Sequence, residues 1–171
     1  MNKVYGKKSG YAPVREDTSR IIASYDMEPV ADPNYATWYE VYFYKKQKPS
    51  PTKDDIHAAI IDDINARTDE RITQGFSYTI KHGAQQGTEV NVWLSKENQS
   101  DFHAMHQNAD GLTFPVRYKV DEDTEGNPIY EEFADIEEIH AICQATAVHV
   151  LTCQQQGWKM KDSIDWNVYD V

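Results

Sequence analysis

Residues 89–102 read EVNVWLSKENQSDF, and the way this stretch is parsed decides the rest. Val90, Val92 and Leu94 recur at every second position, the period of a strand with one buried face. Trp93 falls on the opposite face, a large apolar ring whose single N–H wants an acceptor. Ser95 then predicts a switch to helix, because its hydroxyl can accept from an unpaired amide of the first turn. A strand that runs straight into a capped helix organises the elements on either side.

Immediately upstream, FSYTIK (76–81) pairs with 88–94 across HGAQQG, a hairpin loop bounded by glycines. Downstream, the capped helix runs from Lys96 to about Asn108, with Phe102, Met105 and Ala109 facing inward and Asp110-Gly111 stopping it. A second hairpin follows, TFPVRYKV (113–120) and PIYEEF (128–133), across an acidic loop. The last long helix opens at Asp135 with Glu138 three residues on, a capping box, and Gly157 is expected to close it. Before the first hairpin, KPSP (48–51) breaks the chain, with Ser50 as N-cap and Pro51 at the first helical position. The helix from Thr52 to Arg71 carries Ile56, Ile60 and Ile64 on one narrow stripe and ends at Gly75. Residues 52–157 therefore read α-ββ-α-ββ-α. This predicts an α+β fold, a mainly antiparallel sheet from two hairpins with helices packed on one face.

Further upstream, ATWYEVYFYK (36–45) is a strand dense in aromatic and β-branched residues. It is apolar on both sides, with Trp38, Tyr42 and Tyr44 on one and Tyr39, Val41 and Phe43 on the other. Such a strand sits mid-fold or presents one face to a partner. Residues 1–35 show no clear periodicity and are expected to form an extended N-terminal arm. A single domain is expected over 36–157. Residues 158–171 should dock on it through Trp158, Trp166 and Tyr169, with room for a short edge strand.

Composition narrows the function. At 171 residues, 40% hydrophobic and 26% charged, the chain can bury a core and is not disordered wholesale. A net charge of −11 argues against a phosphate-neutralising face, so nucleic acid is not an expected partner. No apolar run approaches the length of a bilayer span, so no membrane is expected either. The N-terminal lysines precede no apolar region, and no secretion by a signal peptide is expected. Cys143 and Cys153 lie ten residues apart on one helix, about 15 Å along its axis, too far for a disulfide. Reduced thiols and cytoplasmic synthesis follow.

Few residues suggest chemistry. Asp121, Asp123, Glu125, Gly126 and Glu132 approach the spacing of a calcium-binding loop. Glu at the fifth place, Pro128 at the eighth and strand flanks depart from that pattern. A solvated hairpin tip is the plainer reading. His103 with His106, His140 with Cys143, and His149 with Cys153 share helix faces, but pairs do not make a tetrahedral metal site. No nucleophile elbow, phosphate loop or dinucleotide fingerprint occurs. From Asp121 to Glu138 there are nine acids and no Lys or Arg, a self-repelling solvated face or a docking patch for a basic partner. The sequence thus predicts no catalytic residues, cofactor or metal. The expected interaction surface is Trp38, Tyr42 and Tyr44 with Asp121, Asp123 and Glu125, used for a protein partner or for self-association as a homo-oligomer. The alternative is a small module binding calcium or a glycan through the acidic loop or exposed aromatics.

Several segments together carry a family resemblance: ATWYEVYFYKKQKPSPTKDDI, RITQGFSY, VWLSKENQSDF, Phe114-Pro115-Val116 and GWKMKDSIDWNVY. Over roughly residues 36–170 the chain resembles a phage and prophage domain of unknown function, number four-three-seven-six, which often accompanies tail-fibre and tail-assembly genes. That resemblance implies a non-enzymatic tail-fibre or baseplate accessory, or an assembly factor. It would be made in the cytoplasm of a bacterial host and could be incorporated in the virion. It supplies no catalytic or binding residue.

Overall fold

The computed structural model describes residues 2–45 and 50–169. Its class is α+β, with three α-helices and antiparallel strand pairing throughout. The chain divides into two compact units where one domain over 36–157 was expected: residues 1–67 with 156–171, and residues 68–155.

In the first unit, β1 (Lys3–Lys7), β2 (Val14–Glu16), β3 (Arg20–Pro29) and β4 (Tyr35–Tyr44) form one sheet in the order β1-β4-β3-β2, a Greek-key arrangement. The expected N-terminal arm is thus corrected to three strands. β1 and β2 have only five and three residues, too few to show alternation on either side of Gly10 and Pro13. β4 is hydrogen-bonded on both edges, and its two apolar faces are both used. Tyr39, Val41 and Phe43 pack with α1 (Lys53–Gln74), whose Ile56, Ile60 and Ile64 are fully buried. On the other face, Trp38 is 4% exposed, edge-on to Tyr11 and so close to Gly6 that a Cβ there would come 2.7 Å from the indole.

Beside Trp38 lies a buried carboxylate. Glu40 Oε1 accepts from Trp38 Nε1 (2.8 Å) and from Arg15 (2.7 Å), and Oε2 accepts from the Tyr42 hydroxyl (3.0 Å). Burial alone would raise the pKa of Glu40. The Trp38, Arg15 and Tyr42 hydrogen bonds outweigh it and hold the group below the usual carboxylate range. A group whose folded pKa is depressed stabilises the fold above its unfolded pKa and loses that contribution as pH falls through the folded value. Glu40→Gln should therefore be less stable than wild type at neutral pH, with the gap closing as the solution is acidified below about pH 4. Urea unfolding of both chains across that range, followed by fluorescence, checks it; a gap independent of pH would contradict the assignment.

The start of α1 differs from expectation. Thr52, not Ser50, caps it: Thr52 Oγ1 accepts from the Asp55 amide (3.2 Å), and Asp55 Oδ2 accepts from the Thr52 amide (3.0 Å). Lys48 and Pro49 of the expected breaker lie outside the described residues. The far end differs as well. α3 (Ile136–Asp162) runs through Gly157, which is buried, instead of closing there. Beyond it Met160, Ile164, Trp166 and Tyr169 join the first unit's core, and the helix gains its last turn from that packing. The chain then ends its described part in a 3-10 turn, Trp166–Tyr169, with no edge strand among the described residues. Tyr169 is buried and Trp166 partly buried in the first unit's core, whereas Trp158 stays 52% exposed.

The second unit holds β5 (Phe76–Thr79), β6 (Glu89–Val92), α2 (Lys96–Gln107), β7 (Val116–Glu122) and β8 (Pro128–Phe133), with residues 68–74 of α1 and 136–155 of α3. Its hairpins are two separate two-stranded sheets, not the single sheet expected. Val90, Val92, Leu94, Phe102, Phe133, Ile139 and Ile142 form one core. Ser95 caps α2 by accepting from the Asn98 amide (3.1 Å). Asp135 accepts from the Glu138 amide (3.0 Å) at the head of α3. The last carbonyls of α1 find donors in the same unit. Thr73 O accepts from the Leu94 amide, Gln74 O from the Asn91 side chain, and Arg71 O from His149 Nε2.

Candidate functional site

The outward face of β6 presents Glu89, Asn91 and Trp93 in alternation with the buried Val90, Val92 and Leu94. Trp93 is 49% exposed, an unusual position for an indole in a half-buried strand. It lines an open groove of about 560 Å³ with Asn91 beside it, Asn98 and Asp101 from α2, and Tyr118 to Glu122 from β7. That volume suits a small ligand or part of a larger one.

The polar walls are held by the chain's own bonds. Asn98 Nδ2 donates to the Trp93 carbonyl (2.8 Å), and Asn91 Nδ2 to the Gln74 carbonyl, so both amide planes are fixed. Asp121 Oδ2 accepts from the Asn91 amide (3.0 Å) and Oδ1 from the Glu122 amide (2.8 Å). Glu122 pairs with Lys119. The Tyr118 hydroxyl is pushed up to about 12, first by burial and then by the negative charge of Asp101. Asp121 and Glu122 already have internal donors.

Of the residues singled out from sequence, Trp38, Tyr42 and Tyr44 belong to the first unit and Asp121, Asp123 and Glu125 to the second. Trp38 is buried and corrected to a core residue; Tyr42 is half-buried on Glu40 and under Arg20; Tyr44 is 52% exposed. Asp121 lies in the groove, whereas Asp123 and Glu125 occupy the hairpin tip. There the Asp123 carboxylate accepts from the Glu125 and Asn127 amides (2.9 and 2.8 Å) and from Asn127 Nδ2 (3.0 Å). Those bonds hold its pKa below the usual carboxylate range, the Asn127 side chain contributing most. The geometry is that of a self-satisfied turn.

Two of the three histidine and cysteine pairs come together, His103 and His106 with His140 and Cys143, while His149 and Cys153 contact each other elsewhere. His106 and His140 stack with ring centroids 4.7 Å apart beside a second groove between α2 and α3. Cys143 donates to the Phe102 carbonyl (3.1 Å), and burial pushes its thiol up. Both cysteines are free and buried. Among the described residues, no three His, Cys, Asp or Glu side chains come together to hold a metal ion. No helix among them is long and apolar enough to cross a membrane.

Sequence reading placed Trp93 on the outward face but missed Asn91, Asn98, Asp101 and Tyr118 as its neighbours. For Asn91 a signal existed, since it shares the face of Trp93 two residues earlier. The others come from separate elements, and only their packing brings them to the indole.

The fold and this groove define a small α+β protein with an exposed aromatic platform. The chain belongs to the family described as Domain of unknown function (DUF4376), which matches residues 55–171. The match begins inside α1, so the aromatic strand β4, part of the resemblance read from sequence, lies outside it. Comparison with curated proteins returned no match, and comparison with solved structures returned none.

Proposed function

We propose that the chain is a non-enzymatic accessory of a phage or prophage tail, a tail-fibre or baseplate component or a factor in its assembly. It acts by contact with a protein partner or a second copy, is made in the bacterial cytoplasm and is carried into the virion or its precursors. The family's association with tail genes, as read from the sequence resemblance, supports the setting. The observation that carries the mode of action is a contrast within the molecule. Its conspicuous carboxylates are tied to the chain's own amides, while Tyr5, Tyr44, Trp93, Val148, Leu151 and Trp158 stand at 48–62% exposure.

Particle composition tests the setting. After induction of the host prophage, quantitative mass spectrometry of purified particles and assembly intermediates should find the chain at a fixed ratio to tail proteins. Deleting its gene should lower the yield of tailed particles. A chain found only free, with particle yield unchanged by the deletion, would remove the proposal. The groove beside Trp93 favours a second reading, a module that binds a small polar ligand.

A further inference from the structure

The groove beside Trp93 combines three properties that point to one kind of ligand. Half of an indole faces solvent there, offering a flat apolar surface immediately after β6. Four of its polar neighbours offer acceptors, the side-chain oxygens of Asn91 and Asn98 and the carboxylates of Asp101 and Asp121, while the Lys119 ammonium in the lining is paired with Glu122. Three of the four are oriented before any ligand arrives. Both amide NH₂ groups donate to backbone carbonyls and so turn their oxygens outward from those bonds. Asp121 is held by two backbone amides. Ordering these side chains on binding therefore adds little entropic cost.

We infer that this groove binds a neutral saccharide, with the C–H face of a pyranose ring stacked on Trp93 and its hydroxyls donating to Asn91, Asn98, Asp101 and Asp121. A sugar has the required pairing of an apolar face and a rim of hydroxyl donors. A cationic peptide side chain is the competing occupant, since the groove carries more acid than base. It is disfavoured because Asp121 already has two donors and Glu122 is neutralised by Lys119. Half of the acceptors are uncharged amides, which suit hydroxyls better than a guanidinium. The inference stands independently of the assembly role; either can fail without the other.

The test is an NMR titration of the ¹⁵N-labelled full chain with maltohexaose, cellohexaose and tetra-N-acetylchitotetraose, each to about 10 mM, enough to reveal millimolar affinity. Penta-arginine serves as the cationic comparison. At least one oligosaccharide should give saturable shifts of the Trp93 indole N–H and of the Asn91 and Asn98 side-chain amides. Trp93→Ala should weaken binding about tenfold or more, while Trp158→Ala, at an equally exposed indole, leaves it unchanged. Trp93→Phe, which keeps a stacking face, should recover part of the affinity. Both tryptophans are half in solvent, and matching amide spectra confirm that the variants fold. If none of the three saccharides moves the Trp93 signals, or if penta-arginine saturates them and the sugars do not, the inference is overturned. Equal loss from Trp158→Ala would also overturn it, by showing non-specific stacking.

Discussion

Replacing Gly75 by alanine should destabilise the second unit by about 4 kcal/mol, among the largest effects of any single methyl in this chain. Gly75 ends α1 at φ +72°, where an L-residue costs roughly 1–2 kcal/mol. The steric penalty is added to this. A Cβ there would lie 1.7 Å from the Val92 carbonyl oxygen and 2.7 Å from its carbon, both backbone atoms of β6. Neither can swing aside as a side chain could. The strand must move from the helix end, breaking the bonds by which Leu94 N–H and the Asn91 side chain satisfy the last carbonyls of α1. Gly87→Ala separates the two contributions. Gly87 has a similar φ of +84° but open space around its Cβ position, so it should lose only about 1 kcal/mol. Urea unfolding of both variants measures the difference; equal losses would show that the tight approach of α1 to β6 is not enforced.

Glu131→Ala should cost a comparable ~4 kcal/mol, for an electrostatic reason. Glu131 is fully buried in β8. It accepts from the Tyr78 hydroxyl (2.8 Å), the Lys81 and His82 amides (2.7 and 2.9 Å) and the Glu132 amide (2.9 Å). It thus joins the first hairpin to the second at the point where the loop after β5 leaves the sheet. Truncation leaves three donors from β5 and its loop without an acceptor, each worth roughly 1–3 kcal/mol when buried. Glu131→Gln keeps one carbonyl oxygen but turns an NH₂ toward other donors, and should lose about half as much. Tyr78→Phe removes only one donor and should cost about 1 kcal/mol. If Glu131→Ala unfolds at the same urea concentration as wild type, the carboxyl group is not the link between the hairpins. Sequence reading had counted Glu131 among nine solvated acids, and its burial is the sharpest departure from that reading.

What the sequence could show followed from local chemistry. Alternation at Val90, Val92 and Leu94, the Ser95 cap, the Asp135–Glu138 box and the Ile56, Ile60 and Ile64 stripe each depend on residues a few positions apart. The alternation, the Ser95 cap and the isoleucine stripe stand in the structure; Asp135 caps α3, but Glu138 reaches back to the Ala134 amide instead of closing the box on Asp135. What escaped depends on distant partners. β1 and β2 are too short to announce themselves and become strands only by pairing with β4 and β3. Gly157 looks like a stop until the residues after it are seen to pack in a core. Trp38 looks like surface because its cover, Gly6 and Tyr11, lies about thirty residues away in sequence. The groove shows the same division: Trp93 was legible as an outward indole, but not the α2 and β7 residues around it.

The central claim is that this chain works by contact and that its acids do no chemistry. The most direct measurement is complementation of the gene deletion by a chain carrying Asp101→Asn, Asp121→Asn and Glu122→Gln together. The amides keep side-chain oxygens that can accept hydrogen bonds, but they cannot exchange protons, act as carboxylate nucleophiles or balance a cation. The account predicts a yield of tailed particles equal to wild type, with the triple variant folded and of similar urea midpoint. A yield no better than the deletion, from a variant shown to be as stable as wild type, would contradict it by showing that the negative charge of those carboxylates is itself required.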